Sequence, residues 1–214
     1  PVEYQMAGIN QIQVKPQIDL TFANALRSIV RQDPDVIMIG EIRDLETAQI
    51  AVQSALTGHL VLSTVHTNDA PSTVNRLLDM GVDDYLLTST VVGIQAQRLV
   101  RTLCPHCKEA YTALPEMVEH AGLRRFVNGG QTPLFRAKGC AQCANTGYTG
   151  RISIIEVMPM TDAIRSLVMR HATAAELKAE AVREGMLTMY EDGLRKAVAG
   201  VTTVEEVLRA TRED

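Results

Sequence analysis

Two kinds of residue in this chain have the type and spacing to do chemistry: a carboxylate and an imidazole that follow short apolar runs, and two Cys-x-x-Cys pairs. Val36 to Ile39 is an unbroken apolar run between Pro34 and Gly40, which predicts a strand buried on both faces of a parallel sheet, and Glu41 follows directly. An ionised Glu41 at the end of such a strand needs a partner, because desolvating a lone carboxylate is very costly. One reading pairs it with nearby Arg43 or leaves it exposed in a loop. The other makes it an acid that orients water or Mg2+ beside a nucleotide. Leu60 to Leu62 predicts a second strand, ending toward His66-Thr67-Asn68. There an imidazole and a hydroxyl can hydrogen-bond a terminal phosphate, against the alternative of a solvated loop. His59 precedes that strand, so it belongs at the opposite sheet edge, in a helix-terminus or packing role.

Cys104-Pro-His-Cys107 and Cys140-Ala-Gln-Cys143, about thirty residues apart, have the spacing of paired thiolate ligands. Four thiolates make a closed tetrahedral Zn2+ site with no open position, so the expected role is structural, with His106 exposed and not ligating. Pro115, Gly122, Gly129-Gly130, Pro133 and Gly139 punctuate the segment between the pairs. This loop-rich module has too little apolar periodicity to fold without its metal.

The elements that must position these residues follow from periodicity. Leu45, Ala48, Val52 and Ala55/Leu56 recur at helical spacing and Thr57-Gly58 stops the helix, giving strand, helix, strand between Val36 and Leu62. Such a unit has parallel strands, so Glu41 and His66 emerge at one edge, the carboxyl end where open α/β sheets bind ligands. Residues 1–15 read as strand and turn around Gly8, and Leu20 to Arg31 as a helix. Asn68 or Asp69 can cap a helix with Pro71 in its first turn, and Asp83 or Asp84 another over Tyr85 to about Val92. Gln97 to Arg101 and Ile152 to Val157 read as strands. Three or four short helices follow, with Thr173/Glu176 and Thr203/Glu206 as capping boxes.

The chain has 214 residues, 46% of them apolar, and a net charge of −4, so it can bury a sizeable core. The acidic balance and the lack of clustered Lys/Arg with aromatics argue against nucleic acid. No apolar run reaches the roughly 18 residues needed to span a bilayer, so a soluble protein is expected. Nothing matches the phosphate-gripping Gly-x-x-x-x-Gly-Lys-Ser/Thr loop, since Gly147-Tyr-Thr-Gly150 is too short and lacks lysine. Taken alone, the chain is not expected to be a competent ATPase. Pro1-Val-Glu-Tyr4 reads like the interior of a strand, which suggests part of a longer chain.

Three stretches, Arg27 to Asp44, Thr57 to Asn68 and Gln97 to Cys104, closely resemble the secretion ATPases of bacterial type II secretion and type IV pilus assembly, and the similarity extends to the C-terminus. The resemblance implies an α/β fold: the C-terminal part of a RecA-like core over 1–103, a tetracysteine zinc module over 104–150, and a strand with a helical bundle over 151–214. It makes Glu41 (in the Walker B box) and His66 (in the His box) catalytic, with ATP and Mg2+ bound in the full-length protein. Glu3, in what looks like the end of the Asp box, becomes an acid on the Mg2+ side. Arg43, Thr67, Arg98 and Arg101 fall near the nucleotide or the subunit boundary, although Arg98 and Arg101 also fit a solvated strand face. The resemblance further implies a homo-hexameric cytoplasmic ATPase, peripheral at the inner membrane through platform proteins, that powers type II secretion by pseudopilus assembly. Pilus assembly, or a zinc-stabilised docking module without ATPase activity, are the alternatives. Gln32 to Asp35 and Ala51 to Gly58 look more like type II secretion, and the tetracysteine module disfavours a retraction motor. Relatives commonly carry glycine where Ser153 stands.

Overall fold

The computed structural model describes residues 2, 4–127 and 133–211; Glu3 and Gly129-Gly130 lie outside them. In chain order its elements are α1 (Phe22–Ile29), β1 (Val36–Ile39), α2 (Leu45–Leu56), β2 (Leu60–Ser63), α3 (Ala70–Asp79), α4 (Asp84–Thr90), β3 (Gly93–Leu103), β4 (Lys108–Thr112), α5 (Pro115–His120), β5 (Pro133–Ala137), β6 (Tyr148–Pro159), α6 (Asp162–Val168), α7 (Ala174–Arg183), α8 (Met189–Val198) and α9 (Val204–Thr211). They form two compact units, Pro1–Ile94 with Pro159–Ala181, and Gln95–Met158 with Val182–Asp214.

In the first unit, β1 and β2 pair in parallel, Val36 opposite Leu60 through Ile39 opposite Ser63. Ile37 and Ile39 pack against Leu26 and Ala51, so one sheet face rests on α1 and α2. The other face corrects the expectation of a strand buried on both sides: Val36 is 53% exposed and Met38 74%. Among the described residues the sheet has two strands, and nothing covers that face. Local chemistry sets the helix starts. The side chains of Thr21, Asp44 and Asp69 accept from Asn24, Thr47 and Ser72 N–H, satisfying donors that each first turn leaves unpaired. A second core joins α2, α3 and α4 through Ala48, Val52, Leu77 and Leu87. Among the described residues of 1–15 the expected strand does not form. Residues 9–14 have no regular structure, because Gln11 and Gln13 bond the backbone of Val2, Tyr4 and Met6 with their side chains instead of forming a ladder.

The second unit is more regular than a loop-rich reading predicts. β4 and β5 form an antiparallel hairpin from Lys108/Ala137 to Thr112/Pro133, and β3 pairs with β6. The cysteine segment shares its core with the C-terminal helices: Ala113, Leu123 and Leu134 pack with Leu194, Ala197, Val204 and Val207. Buried carboxylates fasten these layers. Asp192 accepts from Ile155 N–H at 3.0 Å and from Lys196, and Glu156 accepts from Met189 N–H at the start of α8 at 3.1 Å. The box at Thr173/Glu176 forms, whereas Glu206 turns its carboxylate to Arg101 and Arg209. Thr188/Glu191 forms a box that the sequence reading did not identify.

Candidate functional site

Glu41 and His66 meet at the carboxyl edge of the β1–β2 pair. His66 Nε2 lies 2.9 Å from Glu41 Oε2, and the Arg43 guanidinium pairs with Oε1. Glu41 is 7% exposed, while the side chains of His66 and Arg43 are largely exposed at 86% and 68%. The approach of His66 is short but poorly aligned, and Oε2 accepts no well-formed hydrogen bond. Arg43 holds the Glu41 carboxyl below the usual carboxylate range, against burial that works the other way, and His66 adds to the lowering. The carboxylate is therefore ionised at neutral pH, with one oxygen neutralised by Arg43 and the other poorly matched by donors within the chain. That arrangement can accept a hydrogen bond from a water and orient it. Glu41 thus pairs with Arg43, as one reading expects, and keeps acceptor capacity at the sheet edge.

Neighbouring polar residues have structural work. Thr67 Oγ1 lies 2.8 Å from Thr73 Oγ1 and donates to Asp69 O, so its hydroxyl belongs to the entry of α3. His59 Nδ1 sits 2.9 Å from Ser54 O and 3.1 Å from Thr57 Oγ1, the helix-terminus role expected of it. Arg98 and Arg101 lie in the second unit. There Arg98 donates to Ala210 O, in the last turn of α9, at 2.8 Å. Arg101 pairs with Glu206 at 2.6 Å and lies over the Tyr148 ring at 4.2 Å. The sequence reading took Glu206 only as a helix cap. Burial works to raise its pKa, but donors on Arg209 and Arg101 outweigh that and hold it far below the usual range. Residue spacing gives no signal for Thr64, whose hydroxyl lies one residue past the last paired rung of β2.

The four cysteines converge. Their sulfurs all lie within 4.8 Å of one another, with Cys104–Cys140 at 4.0 Å and Cys107–Cys143 and Cys140–Cys143 at 3.8 Å. Ligand sulfurs about 2.3 Å from a tetrahedral ion stand about 3.8 Å apart, so the set fits one metal ion. Burial pushes the Cys107 thiol up to about 12. Burial also opposes ionisation of Cys143, but the N–H groups of Cys140 and Gly147 donate to its sulfur at 3.3 and 3.1 Å and help bring it down to about 6. Such N–H donors are the outer shell that orients thiolate ligands. Two turns depend on glycine: Gly139 has φ +98° and a Cβ there would lie 2.6 Å from Asn145 O, while Gly147 has φ +75° and its Cβ would lie 2.5 Å from Ala137 Cβ.

The fold is α/β and RecA-like, with the acid and the imidazole at the carboxyl edge of its parallel strand–helix–strand unit. The structure of the pilus retraction motor PilT with bound ADP is similar, with TM-score 0.58 and 27% identity over 90% of this chain and 44% of that one. The Legionella pneumophila ATPase DotB shares the fold at TM-score 0.63 and 21% identity, over 97% of this chain and 48% of that one. In sequence, residues 1–209 match the family described as Type II/IV secretion system protein, and the chain belongs to that family. It is 62% identical over 213 residues to type II secretion system protein E of Xanthomonas campestris pv. campestris, covering 100% of this chain and 37% of that protein. It is 51% identical over 221 residues to the type IV pilus assembly ATPase PilB of Myxococcus xanthus, covering 100% of this chain and 38% of that protein. The chain thus spans about two fifths of the length of these curated relatives. Among the described residues no helix is long and apolar enough to cross a membrane.

Proposed function

We propose that this chain supplies the water-orienting half of the nucleotide site in a cytoplasmic ATPase that powers type II protein secretion through pseudopilus assembly. The observation that carries the reading is the Glu41–His66 contact at the carboxyl edge of the β1–β2 pair. Glu41 orients the attacking water, and His66 meets the terminal phosphate. The phosphate-gripping lysine loop comes from the remainder of the longer protein, and Glu3 of this chain is the acid toward Mg2+. When bound, Mg2+ neutralises charge on the phosphates. Arg43 holds the Glu41 carboxylate in place and ionised. Arg98 and Arg101 belong near the nucleotide or the subunit boundary of a homo-hexamer, and Thr67 near the terminal phosphate beside His66. The division into a core over 1–103, a metal module over 104–150 and a helical part over 151–214 belongs to the same proposal.

Cys104, Cys107, Cys140 and Cys143 hold a structural Zn2+, because four thiolates suit that ion and leave no open position. Membrane association comes through platform proteins of the inner membrane. Type II secretion is preferred over pilus assembly on Gln32 to Asp35 and Ala51 to Gly58, the stretches that look more like type II secretion. Measuring ATP hydrolysis by this chain alone and by the longer protein tests the reading. Turnover is expected only from the longer protein, and steady turnover by the isolated chain would contradict the division of the site.

A further inference from the structure

We infer that Thr64 is a positioning residue for Glu41, acting through the backbone on both sides of it. Beyond the last paired rung, Ile39 with Ser63, the backbones of the two segments are joined one step further through Thr64. Its hydroxyl donates to Gly40 O at 2.7 Å, and its carbonyl accepts from Ile42 N–H at 2.9 Å. Glu41 is the single residue between those two anchor points.

The pin matters because Gly40 has no Cβ to restrict its backbone, so the peptide leading into Glu41 is free to turn unless something outside holds it. No helix or strand includes residues 40–43, and Arg43 and His66, which hold the carboxylate, are themselves mostly exposed. The backbone that carries Glu41 therefore sets the starting direction of its side chain, and those two partners act only at its far end. Thr64 also lies two residues before His66, so one residue fixes the spacing between acid and imidazole. Of the two anchors, only the hydroxyl depends on the side chain. Valine keeps the shape and the carbonyl while removing the donor, and serine restores the donor. A displacement of a positioned group by even an ångström weakens a catalytic step without removing it.

This inference rests on the assignment of Glu41 as the acid that orients water, so the experiment carries a control for that assignment. In the full-length protein, kcat and KM for ATP are measured for the parent, Thr64→Val, Thr64→Ser and Glu41→Gln, with folding of each checked by its thermal transition. Thr64→Val is expected to lower kcat about tenfold with KM for ATP unchanged, and Thr64→Ser to recover most of the loss. If Glu41→Gln abolishes turnover while Thr64→Val behaves like the parent, the positioning role is wrong and the assignment of Glu41 stands. If Thr64→Val raises KM and leaves kcat alone, Thr64 touches nucleotide and the positioning role is again overturned. If Glu41→Gln turns over normally, the assignment of Glu41 itself fails.

Discussion

Removing the metal from the cysteine cluster should unfold the second unit and leave the first intact. The hairpin explains how far the damage travels. β4 starts one residue after Cys107 and β5 ends three before Cys140, so the Lys108/Ala137 rung sits beside the four sulfurs at the open end of the hairpin. Leu134 on that hairpin, with Ala113 and Leu123 beyond it, forms one core with Leu194, Ala197, Val204 and Val207. Lys108 also donates to Gly200 O at 2.8 Å, fastening the start of the hairpin to the link between α8 and α9. A structural zinc ion contributes about 10–16 kcal/mol in small peptides, and whole domains are stable by only about 5–15 kcal/mol. The ion's contribution is therefore as large as the stability it supports, and its loss should release α8 and α9 along with the hairpin. Amide hydrogen exchange at pH 7 with and without a strong chelator reads this segment by segment, because protection reports local opening. Peptides covering α8 and α9 should lose protection in the metal-free protein, while those covering α2 and α3 keep it. Metal-free protein whose α8 and α9 stay protected to within about threefold would refute the shared-core argument.

Glu206→Gln should destabilise the second unit by about 2 kcal/mol at pH 7, less than a fully buried pair would, because Arg101 and Arg209 are themselves half exposed. The folded pKa of Glu206 is depressed from its ordinary 4.5, so its contribution is present above that value and is lost as pH falls through the folded one. Urea titrations should show parent and variant converging in acid, and a gap of constant size down the acid range would count against the network. For Arg43→Gln, losing the guanidinium lets the Glu41 pKa rise toward the ordinary carboxylate value, so the acid limb of turnover should move to higher pH. A pH–rate profile of the full-length variant checks this, and an unmoved acid limb would show that Arg43 does not set the ionisation of Glu41.

The elements that carry the site were legible because their signals are local. Val36–Ile39 and Leu45–Leu56 appear at the predicted residues, and Asp69 caps α3 with Pro71 in its first turn. The two Cys-x-x-Cys pairs pointed to a four-sulfur cluster, and the sulfurs converge. What the sequence hid depends on distant partners. The exposed face at Val36 and Met38 reflects what packs on that side of the sheet among the described residues, which an apolar run does not encode. The hairpin and shared core of the cysteine segment arise from packing against helices some 60 residues later. Thr203/Glu206 reads as a capping box, yet Arg101, about a hundred residues earlier in sequence, takes the carboxylate. Thr64 carries no motif of its own, and its role appears only when Gly40 and Ile42 are seen beside it.

The account stands on Glu41 as the group that orients the attacking water, and the direct measurement is ATP turnover by the full-length protein carrying Glu41→Gln. The amide keeps the size of the side chain but cannot act as a carboxylate base or pair as an anion with Arg43. The predicted result is a fall in kcat of about a hundredfold or more, with nucleotide binding retained. Turnover within about twofold of the parent, in a variant that still binds nucleotide, would contradict the central claim.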